Sequence, residues 1–585
     1  MKKEISLLKK GLFNSPNMDT KITTRSLSKK EKILGHFVGP LGLIFVVNTI
    51  AALVEKFFTQ QVGLAYGESD MAVHMGDVYG IIMTVAKILG IFTSLLNGWL
   101  ISHTKCRQGR MRPWYLIFGF ISIITGAFIF LFSPEVMGAG YWYYFFFFVI
   151  VYNTIGSAYF FLFKDNIVSI STRDPQEKNQ LTFIRKVSWT LISGIIIGMI
   201  VSSVLMPYWL DHDINGYPIL MIALSIVAIP LLLLEYFYTR ERIIEDVAVE
   251  VGTDNENKVP LGKQLKALFT NKYYVIMTVL ATVVGIADNF KGGNVQYFYI
   301  KYILGGSEHQ EMYMIYQIIT GIPLGLGAII AYPLGKKFGI KNVTWAGFLC
   351  VLIGSVLGWL FPDNMYVAFA AGFIRQVGFI PNAYISASLL CFAFDDVEYK
   401  SGYRLEGLLG VAIVVAIQAG IYAPFAGGYE STLLKIGFAD NESYVPSEQV
   451  KNYIVLAFYL FDIITAAANV ILLPFVDVEK KLPTINAELL RRKKEAVLAR
   501  GETWIEPEEE IRLEKEKADK EREENRIADL HAYCDKKGLN FEEENNKYLA
   551  KKAEADKKQA EKEAKKKAKA DAKAAKKAKK DDKSE

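Results

Sequence analysis

The chain reads as an all-α membrane protein, with about twelve transmembrane helices in two six-helix halves and a long charged tail. Three observations predict this. Hydrophobic residues fill 51% of 585 positions, and mean hydropathy is +0.20 even with the polar tail included. Apolar runs of about 20 residues, each able to cross a hydrocarbon core of about 30 Å, recur from Phe37 to Val476. The short loops between those runs alternate between basic and acidic.

Taken in order, residues 1–36 form a polar segment, and Met1 to Lys32 holds no apolar run of signal-peptide length, so the first span is expected to be retained. Spans are expected at 37–58, 73–101, 113–133, 141–163, 187–207 and 217–238 in a first half covering 37–238. A second half covering 273–476 holds spans at 273–297, 311–334, 343–361, 364–392, 405–428 and 451–476, after the polar linker 239–272. Lys and Arg gather at His103–Arg112, at Lys336–Lys341 and in that linker, whereas Gly67–Asp70, Asp211–Asp213 and Glu308–Glu311 lean acidic. Basic short loops stay in the cytoplasm, so both termini are expected inside.

Loops at matching places in the halves are alike. His103 to Trp114 and Gly335 to Trp345 each set a Gly-and-basic turn ahead of a Trp. Two six-helix halves related by an axis along the membrane normal are the major facilitator arrangement, with substrate held between them near the midplane. The plainer account of the likeness is that any multi-pass protein needs basic inner turns.

From Glu479 the composition changes. The tail 477–585 is charged; Ala487–Arg500 and Glu508–Arg526 favour solvated helix, with breaks marked by Pro483 and Pro507, and Lys551–Glu585 is too polar to bury a core. Its Lys-rich end can attract anionic inner-leaflet lipid at about 1 kcal/mol per basic residue. No aromatic platform accompanies that charge, so no nucleic-acid partner is expected. The four cysteines, at 106, 350, 391 and 534, show no framework spacing, and no structural disulfide is expected.

Between spans ten and eleven the run Asp395-Asp396-Val397-Glu398-Tyr399-Lys400-Ser401-Gly402-Tyr403-Arg404-Leu405-Glu406-Gly407 concentrates charge that hydrocarbon cannot host unpaired. It resembles the signature of the glycoside-pentoside-hexuronide:cation symporters, the melibiose-carrier branch of the major facilitator superfamily. Asn97-Gly98-Trp99 with Arg107, Gly109, Arg110 and Pro113-Trp114 resembles that family's loop after span two. Lys178-Asn179-Gln180-Leu181 with Arg185 resembles the loop after span four. The likeness spans residues 33–476 and leaves out the tail.

The resemblance implies a sugar or sugar-acid carrier driven by Na⁺ or H⁺, with no resident cofactor. The family's cation-coupled members carry two aspartates one turn apart on span two; Gly90 and Ser94 stand at the matching positions here, behind a retained Lys87. The acidic position of span four falls near Phe160 or Phe161, span one offers Asn48 and no Asp from Phe37 to Val54, and Gln418 replaces the Lys of span eleven. A Na⁺ site needs several oxygens, usually with a carboxylate among them, so coupling by that route is in doubt and the ion stays open.

Six residues are candidates for substrate binding: Asn48, Lys87, Asp288, Arg375, Asn382 and Gln418. Lys87 and Arg375 are intramembrane cations suited to a carboxylate, or else to a structural partner such as Asp77, Asp288 or Asp462. Asp288 and Lys291, three apart on one helix, are expected to neutralise each other, leaving Asp288 as the candidate titrating carboxyl. The amides Asn48, Asn382 and Gln418, with Gln317, can bond sugar hydroxyls or neighbouring helices. Arg185, Asp395, Asp396, Glu398, Lys400, Arg404 and Glu406 are candidates for an inner gate, and Lys164-Asp165 lies near Arg185. The aromatic run Tyr141–Phe148 reads as interfacial belt and lipid-facing bulk rather than a sugar platform.

The function expected is secondary transport of a sugar, glycoside or hexuronate across the cytoplasmic membrane by alternating access. The competing reading is a non-transporting sensor or scaffold acting through the tail. An enzyme is excluded by the lack of HExxH, GxSxG, a phosphate loop or a His cluster among six histidines.

Overall fold

The structure, a computed structural model, describes residues 12–22, 27–104, 106–156, 166–172, 175–186, 200–241, 260–292, 294–305, 309–402, 409–440, 444–499 and 506–550, with a few isolated positions. Among these the chain is helical. Eight helices are long and apolar enough to cross a membrane, and a ninth crossing is the bent pair Glu311–Gly327 and Ile330–Phe338, at 56°. The expected spans four, five and eleven each run into residues outside the described set.

Span one is longer than its apolar run. It is helical from Glu31 to Tyr66, so that Glu55, Lys56, Thr59, Gln60 and Gln61 continue the buried face instead of ending the helix. Span two runs Asp70–Ser102, span three Arg112–Leu131 and span six Gly216–Tyr238. In the second half, span seven starts at Lys272, span nine covers Ile340–Leu360, span ten Met365–Tyr384 with a second helix Ala387–Ser401, and span twelve Glu448–Leu472.

The two halves repeat one device. After span six, Glu241 accepts the backbone N–H groups of Arg110 (3.0 Å) and Met111 (3.2 Å), ahead of span three. After span twelve, Glu479 accepts those of Ile340 (2.8 Å) and Lys341 (3.0 Å), ahead of span nine. In each loop a glycine of positive φ, Gly109 (104°) or Gly339 (86°), lies against the carboxylate. A carboxylate at a helix N-terminus satisfies orphan donors and favours the dipole. The sequence likeness of the two loops is therefore a likeness of capping geometry. Burial pushes the Glu241 carboxyl above its ordinary range, against the pull of the amides of Arg110, Met111 and Arg112. Replacing Glu479 by Gln turns an amide N–H₂ toward a backbone N–H; a loss of about 1–2 kcal/mol is expected, read as a fall of about 1–2 °C in apparent Tm.

These loops define one face of the bundle, here the near face, which also holds Asn271, Asp396 and Asp477. The opposite, far face holds Asp211, Lys301 and Asp440. Helix Val478–Ala499 packs back on the second half through Val478 and Ile485, both nearly inaccessible. Pro483, expected to break the tail, sits inside this helix in its second turn, where the missing N–H costs one bond. The separate unit formed by Thr23–Ser28 and Ile505–Glu585 contains helix Pro507–Lys537, turned at Gly538 (φ 66°) so that His531 stacks on Phe541 at 3.7 Å. The Lys-rich end beyond residue 557 lies outside the described residues. In the aromatic run, Phe145 stacks on Phe58 while Tyr143 and Phe147 point outward.

Candidate functional site

Span seven is broken. Helix Lys272–Lys291 stops at Gly292 (φ 60°) and resumes at Val295. A Cβ on Gly292 would lie 2.2 Å from Oε2 of Glu55, so the glycine lets a span-one carboxyl from the first half rest on the break. Asn294, two residues on, is fully buried with neither end of its amide hydrogen-bonded among the described residues. Discontinuous helices of this kind line binding sites in transporters. Three charged groups surround the break.

The first belongs to the second half. Lys291 Nζ bonds Oδ1 of Asp462 at 2.5 Å, and Arg375 Nη2 donates to the other oxygen. The guanidinium lies over Phe458 (4.6 Å) and Tyr459 (5.3 Å). One buried carboxylate thus holds two cations, against the aromatic faces that cations favour.

The second lies on the far face and joins the halves. Lys56 Nζ, with no exposed surface, donates to Asp211 Oδ1 (2.6 Å) and to Asp440 Oδ2 (2.7 Å). Lys301 completes a quartet, 2.7 Å from Asp211 Oδ2 and 3.7 Å from Asp440 Oδ1. Tyr297 donates to Asp211 at 3.0 Å, and Lys56 sits 5.3 Å from the centre of that ring. Two cations and two anions, each held by more than one partner, meet the condition under which buried charges are tolerated. Around them Gly63 brings span one against the backbone of Asp440, and Gly76 brings span two against Leu434 and Ser431. An exposed pair, Lys435 with Asp77 at 2.5 Å, marks the rim.

The third lies between the other two. Glu430 is fully buried on helix Gly428–Lys435, and neither oxygen is hydrogen-bonded to another side chain among the described residues. The carboxyl of Glu55 is in electrostatic reach of it. The hydroxyls of Tyr79 and Tyr429 are buried close by without hydrogen-bond partners among the described residues.

The sequence-predicted residues are distributed unevenly over these groups. Arg375 lies in the first, on Asp462. Lys291 also goes to Asp462, which corrects the expected Asp288–Lys291 pair: at the helix end its long side chain reaches span twelve instead of turning back. Asp288 is exposed and has no ion pair among the described residues. Lys87 is likewise exposed and unpaired there, with Glu55 the acid in electrostatic reach. Asn48 is half-buried on span one. Gln418 donates to Thr278 O (2.9 Å) and Thr282 Oγ1 (3.1 Å), so its amide N–H₂ ties span eleven to span seven. Asn382 accepts from Ser386 one turn on.

Among the described residues, the ion pairs of the expected gate residues Arg185 and Asp396 lie within one half. Arg185 pairs with Glu235 of its own half at 2.9 Å, both buried. Asp396 accepts from Asn271 (2.7 Å) and Lys400 (2.6 Å), also within one half, because Asn271 caps span seven beside it. Asp395 and Glu398 are half-buried on the same helix. Arg404, Glu406, Lys164 and Asp165 lie outside the described residues. Lys56, Asp211, Lys301 and Asp440, the buried charges of the quartet that joins the halves, were not among the candidate residues read from the sequence. Their one signal was a Glu-Lys pair inside an apolar run.

A family model described as MFS/sugar transport protein matches residues 35–480. Among relatives, the uncharacterized symporter YjmB of Bacillus subtilis is 27% identical over 66% of this chain and 78% of its own length. The isoprimeverose transporter of Lactiplantibacillus pentosus is 22% identical over 70% of this chain and 83% of its own. A crystal structure of a D-xylose-proton symporter superposes with a TM-score of 0.51 at 16% identity, covering 77% of this chain and 98% of that one, which shows a shared fold. The chain belongs to the MFS/sugar transport protein family, in the glycoside-pentoside-hexuronide:cation symporter branch of the major facilitator superfamily.

Proposed function

We propose that this secondary sugar transporter carries a sugar, glycoside or hexuronate across the cytoplasmic membrane by alternating access, with the near face in the cytoplasm. The observation that supports this reading is the partition of the far-face quartet. Lys56 and Asp211 belong to the first half, Lys301 and Asp440 to the second. Opening the far face separates Lys56 from Asp440 and Lys301 from Asp211, yet each half keeps a neutral pair. No bare charge is stranded, so the quartet holds the closed state without making the open one prohibitive. A scaffold acting through its tail has no use for such an arrangement.

Lys291 and Arg375 lie at the broken span and Lys87 has no ion pair among the described residues, which supports reading them as cations beside the substrate. Guanidinium and ammonium groups at this place suit a carboxylate-bearing sugar, with Glu55 the acid in electrostatic reach of Lys87. The test is uptake by vesicles containing the purified protein, across neutral sugars, glycosides and hexuronates. Saturable uptake of at least one is expected, and silence across the panel from folded protein overturns the reading. For a hexuronate, Lys87→Gln is expected to raise KM about tenfold, equivalent to about 1.4 kcal/mol, with a smaller change for a neutral glycoside.

A further inference from the structure

We propose that Asn294, at the break of span seven, reads the hydroxyls of the carried sugar, its amide pairing with two neighbouring hydroxyls of a pyranose ring beneath the closed far face. The inference rests on the alternating-access reading and supplies recognition of the uncharged body of the sugar, which the cations Lys87, Lys291 and Arg375 do not. Asn294 is inaccessible to solvent, and its carbonyl oxygen and its N–H₂ both lack hydrogen-bond partners among the described residues. No other buried amide among those residues has both ends unpartnered.

Asparagines elsewhere in the bundle satisfy themselves in one of two ways. Inside a helix the N–H₂ donates to the carbonyl one turn back: Asn153 to Val149 (2.9 Å), Asn289 to Gly285 (2.8 Å) and Asn469 to Thr465 (2.9 Å). At a helix start the side-chain oxygen accepts backbone N–H groups, as Asn271 does from Tyr273 and Tyr274 and Asn364 from Val367. Asn294 does neither. The residue one turn back is Phe290, across the break at Gly292, so its carbonyl does not stack beneath the amide. The backbone of Asn294 is already helical (φ −95°, ψ −15°) rather than extended, and its side chain makes no cap to the helix that begins at Val295. The break thus frees the amide, and its burial without partners costs free energy that a bound hydroxyl pair offsets.

The position of Asn294 and its chemistry select the ligand. Tyr297 and Phe298, three and four residues on, share its helix face. That face meets the first half: Tyr297 donates to Asp211 (3.0 Å), and Lys56 lies 5.3 and 5.5 Å from the two ring centres. Asn294 therefore sits one helical turn, about 5 Å, below the quartet that closes the far face. Three residues before it, Lys291 stands at the cationic end of the site with Asp462 and Arg375. A primary amide offers one acceptor oxygen and two N–H donors, while adjacent ring hydroxyls each donate and accept, so a single diol satisfies both ends of Asn294. A cation would use the oxygen alone, and an anion the N–H₂ alone.

The experiment compares wild type with Asn294→Ala in vesicles across the same sugar panel, with methyl β-D-xyloside, methyl β-D-galactoside and D-glucuronate among its members; Asn294→Ser is the second variant if the first does not fold. For each sugar that wild type carries, KM is expected to rise by about tenfold or more with the maximal rate little changed, and by a similar factor for neutral and acidic sugars, unlike Lys87→Gln. Wild type is expected to reject at least one single-deoxy analogue of a carried sugar by about a hundredfold, and the variant to lose that discrimination. Spin labels at the exposed far-face positions Leu64→Cys and Val445→Cys, one on each half in a background without native cysteines, are expected to keep the wild-type separation in Asn294→Ala when no sugar is present. An unchanged KM, or deoxy discrimination that survives the substitution, overturns the proposal and leaves the carrier reading standing. A separation altered without sugar, or failure of both variants to fold, assigns the amide to holding the helices and overturns it as well. Uptake of no panel member by wild type sinks the carrier reading, and this inference with it.

Discussion

Lys56→Met is expected to release the far face. In the closed structure this ammonium is the inaccessible centre of the quartet, and removing it leaves Asp211 and Asp440 with Lys301 as their remaining cation. Breaking a buried ion group by removing one partner costs about 3–5 kcal/mol. The cost falls unevenly on the two states. In the open state Asp211 gains water on its own half, and Lys301 with Asp440 remain a neutral pair. Most of the penalty is therefore differential, and the closed population drops by about two to three orders of magnitude. Label distances between Leu64→Cys and Val445→Cys read that shift directly, and uptake slows because the cycle must return through the closed state.

Adding Asp440→Asn to Lys56→Met restores charge balance, with Lys301 now facing Asp211 alone. The double variant is expected to be less damaged than the sum of the two single variants, a coupling of about 1–3 kcal/mol in a double-mutant cycle. Strict additivity, or a Lys56→Met protein that stays closed, would show that the quartet does not hold the seam.

The reason this group escaped the sequence is physical. Span one was legible as an apolar run, but a Glu-Lys step near its end has the look of charges at a membrane interface, where they are cheap. Only the continuation of the helix to Tyr66 puts Glu55 and Lys56 inside. Asp211 and Asp440 sit in loops whose polar composition reads as solvated, and they meet Lys56 across 155 and 384 residues. No local pattern encodes such a meeting. The near-face charges were easier to find because sixteen residues from Phe394 to Leu409 crowd them together. Finding them gave the family, while Asp396 is held by Asn271 and Lys400 within its own half. The capping repeat of Glu241 and Glu479 lay between these extremes. Its receiving loops were visible in sequence, whereas the two acids, lying 130–131 and 138–139 residues away, were not.

Asp462→Asn is the mirror experiment, removing one anion from between two cations. Arg375 and Lys291 would be left facing each other beside the broken span, with Asp288 as the acid still in reach of Lys291. A loss of about 3–5 kcal/mol is expected, seen as a large fall in apparent Tm and in yield of monodisperse protein. Stability alone does not say whether Arg375 clamps helices or receives substrate. The combination Arg375→Met with Asp462→Leu separates the two roles, because replacing the buried pair by apolar side chains of similar volume removes the stranded charge and is close to neutral for folding. Lys291 is then left to Asp288, three positions back on its own helix. Apparent Tm is expected to return to near wild type in this variant while uptake stays abolished, since a guanidinium that only tied span ten to span twelve would be dispensable once the helices pack without it. Recovery of uptake together with stability would assign Arg375 to the clamp and leave Lys87 and Lys291 as the cations available to the substrate.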